Sequence, residues 1–114
     1  MSPASVAGIV YHGADEHSAD SIRNIGLDRV LWALAGGGYG VDSKGLSVTT
    51  VRSIAEFWAR DRASVRGGAA DGVVLEANAA DLPLRGGTPG NWTDPFEFYV
   101  PVEDFDLVGP GIFR

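Results

Sequence analysis

The sequence predicts an α+β domain with two or three helices, and three observations predict it. Short runs of β-branched and aromatic residues recur at 6–12, 45–50, 72–79 and 96–101. Between the first three of these lie segments whose apolar residues return every three or four positions. The order is therefore strand, helix, shorter helix, strand, helix and then strands, with the helices early and the sheet completed late. With 114 residues, one domain spanning 1–114 is expected.

Each element has a local cause. In "VAGIVYH", Ile9, Val10 and Tyr11 favour an extended chain. Asp15 is placed to cap the next segment, in which Ala19, Ile22 and Ile25 recur at helical spacing. Gly26 follows where a helix closes with positive φ, and Leu27 then folds back onto the helix end. "DRVLWALA" is a second, shorter helix ended by "GGGYG". "GLSVTT" reads as a strand entering a helix capped by Thr49 or Thr50. In "VRSIAEFWARDRASV" the expected buried stripe is Ile54, Ala55, Phe57 and Trp58, with Arg52, Glu56, Arg60 and Asp61 in water. "GVVLEANA" reads as a central strand, and residues 81–95 as a long loop broken by proline and glycine. "FEFYVP" alternates like a half-buried strand, and "VEDFDLVG" is expected to turn and add one more.

Composition removes several function classes. Apolar residues make up 45% and charged residues 21%, as in a folded domain with a core. The chain has no cysteine, so neither a disulfide framework nor a thiolate metal site is available. No apolar run reaches the roughly 20 residues that span a bilayer, and "MSPASVAGIVYH" lacks the features of a signal peptide. A cytoplasmic setting, native or in a target cell, is the expectation. The formal charge of -6 leaves no basic stripe for nucleic acid. "GGGYG" is no dinucleotide fingerprint, because no strand precedes it and no helix opens from it. No Ser-His-Asp or Cys-His set can be assembled, and His12 and His17 lack metal-ligand spacing.

Taken alone, His12 at a strand end reads as a hydrogen-bonded turn residue. Its companions change that reading. Tyr11-His12-Gly13-Ala14, then Ile22 to Gly26-Leu27, then Gly45-Leu46-Ser47-Val48-Thr49 leading to Ala55 and Ala59, and finally Glu97 in "DPFEFYVP" stand in sequence. In this order and spacing they resemble the ADP-ribosyltransferase superfamily, in its histidine-first branch of poly-ADP-ribose polymerases and small bacterial toxin domains. The resemblance covers about residues 9–108.

The resemblance implies a split mixed β-sheet with two or three helices, and an activity that cleaves the nicotinamide–ribose bond of NAD. It implies that His12 hydrogen-bonds a hydroxyl of the nicotinamide-side ribose, and that Gly13 offers its backbone to the carboxamide. Glu97 is implied as the carboxylate that stabilises positive charge on the ribose. On residues alone, Glu97 also reads as the solvent side of a half-buried strand, and Glu76 is a rival carboxylate. The chain departs from the branch at Ser47, where a tyrosine usually stacks on nicotinamide. Ser47 resembles instead the Ser-Thr-Ser strand of the arginine-first branch, and it is expected to bond the ribose or position Glu97. Tyr39, Trp92 or Trp32 is then needed to supply a ring, whereas Trp58 reads as core. Thr49 completes the implied NAD contacts, and Lys44 or Arg52 is a candidate cation for the pyrophosphate, although an exposed lysine is the ordinary reading of Lys44.

The acceptor is left open: a protein side chain, a nucleic acid, a small molecule or water. A neutralising antitoxin or immunity protein is an expected partner if the domain is a toxin. The rival function is a non-catalytic module of the same fold that binds NAD, ADP-ribose or a protein. A third, kinship with RNA 2′-phosphotransferases, asks for an arginine cluster that the acidic balance opposes.

Overall fold

The structure is a computed structural model that describes residues 8–34, 45–86 and 97–114. Strand β1 (Ile9–Ala14) leads into helix α1 (Glu16–Ile25) and the short helix α2 (Arg29–Leu34). Strand β2 (Gly45–Thr49) precedes the long helix α3 (Arg52–Arg66), followed by β3 (Val73–Asn78), the two-residue β4 (Arg85–Gly86) and β5 (Glu97–Pro101). The strands form one sheet in the order β3-β1-β2-β5-β4.

The fold is α+β, but the sheet is antiparallel at every neighbouring pair rather than mixed. The reason is topological. Strands β2 and β3 run in the same direction across the α3 crossover, yet β3 joins on the far side of β1. The two parallel strands therefore never touch. For the same reason β3 is not central: β1 lies on one side, and Arg114 exchanges two backbone hydrogen bonds with Glu76 on the other (2.9 and 2.8 Å). Its apolar run reflects cover on both faces, with Leu75 and Ala77 in the core.

Strand alternation sorts the side chains. Val10 of β1, Leu46 and Val48 of β2, Leu75 and Ala77 of β3 and Val100 of β5 face α1. There they meet Ala19, Ile22, Leu27, Phe105, Val108 and Phe113 in the main core. Burying each large aliphatic side chain contributes about 1.5–3 kcal/mol, so this cluster is the principal source of stability. Asp15 caps α1 as expected, its Oδ2 accepting from the Ser18 N–H at 3.1 Å and its Oδ1 from the Ser18 hydroxyl at 2.6 Å. Gly26 closes α1 at φ 94°, and an added Cβ would lie 2.5 Å from the Val108 carbonyl oxygen.

The opposite face of the sheet belongs to α3, and its buried stripe differs from the expected one. Ala55, Ala59 and Ala63 are buried, whereas Phe57 is 63% exposed and Trp58 only half-buried. Small residues are required because α3 lies with its backbone against β1. A Cβ on Gly13 would sit 2.0 Å from the Ala55 carbonyl oxygen and 2.6 Å from the Ala59 nitrogen. Large rings have no space on that line and move to the helix flanks. Neither Thr49 nor Thr50 caps α3; Val51 occupies the N-cap, with its N–H bonded to the Thr49 hydroxyl at 3.1 Å.

The stretch after β5 also departs from expectation. Residues Val102–Leu107 form a 3₁₀ turn instead of a further strand, and the turn buries Phe105. Pro101 ends the strand's ladder, and the Phe105 ring stands perpendicular to Trp32 at 5.7 Å. The turn is tied back to α1 through Leu27, whose N–H donates to the Val108 carbonyl at 2.9 Å.

Candidate functional site: a cleft at the parting of two strands

Strand β1 aligns with β3 along its whole length, from Ile9–Asn78 to Ala14–Val73. It aligns with β2 at one pair, Tyr11–Thr49. Beyond that pair the two strands part. His12, Gly13 and Ala14 line one side of the gap, and Gly45, Leu46 and Ser47 the other, around a cavity of about 540 Å³. Helix α1 contributes His17, Ser18 and Ser21 to the wall, and α3 contributes Trp58, Arg62 and Arg66.

His12 bridges the gap. Its Nδ1 lies 2.6 Å from the backbone carbonyl oxygen of Ser47. A carbonyl can only accept, so Nδ1 carries the proton and Nε2 of the neutral ring keeps its lone pair. Phe113 braces the ring edge-on at 6.4 Å. Burial lowers the His12 pKa to about 4, helped by the Arg62 guanidinium and opposed by the Ser47 carbonyl and Asp15. At neutral pH the cleft thus presents an imidazole acceptor, suited to a ligand hydroxyl.

The same shift has a consequence for stability. The unfolded chain takes up a proton on His12 near pH 6.5 and the folded chain near pH 4. Stability from this group is complete above the unfolded value and falls as the pH drops between the two. Chemical denaturation at pH 7, 5.5 and 4 should show that decline, and His12→Asn should flatten it. Equal slopes for the two proteins would exclude the neutral buried imidazole.

Gly13 lines the cavity, and its missing side chain is already demanded by α3 (above). Close packing of helix on strand therefore accounts for this glycine without a ligand. Ser47 stands half-buried on the other strand, in register with Tyr99 of β5. Thr49 is fully buried and pairs with Glu97, which is 6% exposed. Tyr11, Thr49 and Glu97 are aligned across three strands and so share the α3 face, whereas His12 alternates to the other. The structure brings His12, Gly13 and Ser47 together at the cavity; Glu97 and Thr49 are not among its lining residues. Tyr39, Lys44 and Trp92 lie outside the described residues. Arg52 is over Tyr11 at 5.6 Å and within 3.8 Å of Glu56 and Glu76, away from the cavity wall.

The sequence reading did not assign Trp58, Arg62 or Arg66 to the site, although all three stand in the wall. Trp58, Arg62 and Arg66 follow at i, i+4 and i+8, one position off the Ala55-Ala59-Ala63 stripe. That spacing is legible as a helix face, and the small-residue stripe beside it marks which face is buried. Arg66 is anchored 3.5 Å from the Asp15 carboxylate. Burial alone would raise the Asp15 pKa, but the two Ser18 bonds and the Arg66 charge hold it below its ordinary value. Among the described residues, no group of histidines and carboxylates is arranged to hold a metal, and no helix is long and apolar enough to cross a membrane.

Fold and cavity together define an α+β domain with a cleft where an antiparallel sheet comes apart. No family model matches the chain, and searches of curated proteins and of solved structures return no match.

Proposed function

We propose that the cleft binds NAD and that the protein is an ADP-ribosyltransferase-like enzyme. It cleaves the nicotinamide–ribose bond and passes ADP-ribose to an acceptor or to water. The observation that carries this reading is the neutral His12, held by Ser47 across the parting of β1 and β2 with Nε2 left as an acceptor. A ribose hydroxyl is a donor of the required kind.

The other walls fit the same ligand. Trp58 begins beside Gly13, its Cβ within 2.9 Å of where a Gly13 Cβ would stand, and supplies the ring that Ser47 cannot. Arg62 and Arg66 follow about one and two helical turns further, roughly 6 and 12 Å along the axis, where phosphates of a stacked nucleotide would lie. As the C–N bond breaks, nicotinamide leaves as a neutral amide and positive charge develops on the ribose. A carboxylate near the ribose stabilises that charge, and the acceptor then adds to C1′ and loses its proton. Glu97 is the carboxylate the resemblance proposes; it lies on the α3 face, opposite His12, and would have to act through the parting of the strands.

A second reading is favoured by the place of Glu97, which lies outside the cavity wall and on the opposite face of the sheet from His12. Together with Ser47 in the position of the stacking tyrosine, this suits a module that binds NAD or ADP-ribose without cleaving it. Incubation with NAD, with nicotinamide release followed by chromatography, separates the two. The enzyme releases nicotinamide, and Glu97→Gln slows release at least a hundredfold with little change in NAD affinity, as loss of a charge-stabilising group does. Release untouched by the substitution removes Glu97 from the mechanism. NAD binding without release, across protein, nucleic-acid and small-molecule acceptors, establishes the module instead.

A further inference from the structure

We infer that the end of the molecule formed by the close of α1, all of α2 and the 3₁₀ turn Val102–Leu107 is a docking surface for a protein segment that is apolar at its centre and basic at its edge. Seven large hydrophobic side chains are exposed among the described residues, and five of them sit on this end: Ile25, Val30, Leu31, Leu34 and Leu107. The pieces form one surface. Leu27 donates to the Val108 carbonyl, Arg29 reaches the Glu103 carbonyl at 3.2 Å, and Trp32 packs on Phe105. Val30 and Leu34 are one helical turn apart, and so share a face.

Helix α2 has no fully buried residue over its six positions. A helix that short is not stable by its own hydrogen bonds, so the exposure of its aliphatic side chains marks a surface built to be covered. The charge around it states what covers it. Within residues 22–34 and 102–108, the four carboxylates Asp28, Glu103, Asp104 and Asp106 outnumber two cations, Arg23 and Arg29. A second copy of the chain would oppose like charges, and anionic lipid or nucleic acid would meet the same repulsion. A basic protein segment satisfies both the apolar centre and the acidic edge. Leu31 and Leu34 also line the cavity, so the docked segment lies at the mouth of the cleft. The surface stands whether or not the cleft takes NAD.

The test is calorimetric titration of the intact chain with a 14-residue amphipathic helical peptide of leucine and lysine. The same peptide with glutamate for lysine is the control. The lysine peptide should bind once per chain, more weakly at higher salt, and the glutamate peptide should not bind. The double variant Val30→Glu, Leu34→Glu should weaken binding by about tenfold or more, while Val65→Glu, exposed on α3, leaves it unchanged. If circular dichroism shows that the double variant does not fold, Leu107→Glu replaces it. Binding insensitive to these variants, or equal for both peptides, overturns the inference. So does a wild-type dimer in light scattering that the double variant dissolves, which would make the partner a second copy. A monomer that binds neither peptide also overturns it, because the chain would then cover the surface itself. Vesicles of anionic lipid that bind in place of the peptide would do the same.

Discussion

Gly13→Ala should lower the melting temperature by on the order of 10 °C or more, and trimming a nearby side chain should not rescue it. The added methyl would meet the Ala55 carbonyl oxygen at 2.0 Å and the Ala59 nitrogen at 2.6 Å. Both are backbone atoms of α3, so no rotamer change relieves the clash. The helix must lift from β1 along the line where Ala55, Ala59 and Ala63 are buried. Overpacking of this kind costs about 3 kcal/mol. Thermal unfolding by circular dichroism checks it. A variant melting with the wild type would mean that α3 rides higher on the sheet than the structure places it. The result also bears on function, because it separates what Gly13 does for the fold from anything it does for a ligand.

The second large effect lies at His12, where two roles can be pulled apart. His12→Ala removes both the bond to the Ser47 carbonyl and the acceptor at Nε2. His12→Asn keeps a donor near the place of Nδ1 and removes only the acceptor. The alanine variant should lose NAD binding by about a hundredfold, because the strand tie and the ligand bond go together. The asparagine variant should lose about tenfold, the worth of one hydrogen bond to a ligand, with its stability at pH 7 close to wild type. Equilibrium dialysis with NAD and denaturant melts read both. If neither variant changes NAD affinity, the cleft's ligand is not held by the imidazole and the proposed function falls.

Much of the fold was legible because its signals are local. Asp15 and Gly26 mark the two ends of α1 by capping chemistry that needs no tertiary partner. The strand runs around Val10, Val48, Leu75 and Val100 were equally plain, and all four side chains are fully buried. What escaped depends on which element lies against which. The sheet came out antiparallel because β3 joins beyond β1, a choice that no periodicity encodes. The α3 stripe was misread because hydrophobicity favours Phe57 and Trp58, whereas contact with Gly13 favours alanine. At the site, the sequence pointed to His12, Gly13 and Ser47, which the structure gathers at one cavity, and to Glu97 and Thr49, which lie outside its wall. It did not mark Arg62 and Arg66, whose part follows only once α3 is laid along the gap.

The single Tyr11–Thr49 alignment between β1 and β2 gives the molecule a seam. On one side, β1 and β3 form a plate; on the other, β2, β5 and β4 form a second. Each plate is stiffened by its own ladder, and their backbones meet at one strand pairing and one imidazole, so the seam is a crease bridged elsewhere by side chains of the core and by α3. A ligand that spans the crease would be felt as a change in the angle between two solid halves, which turns occupancy into shape.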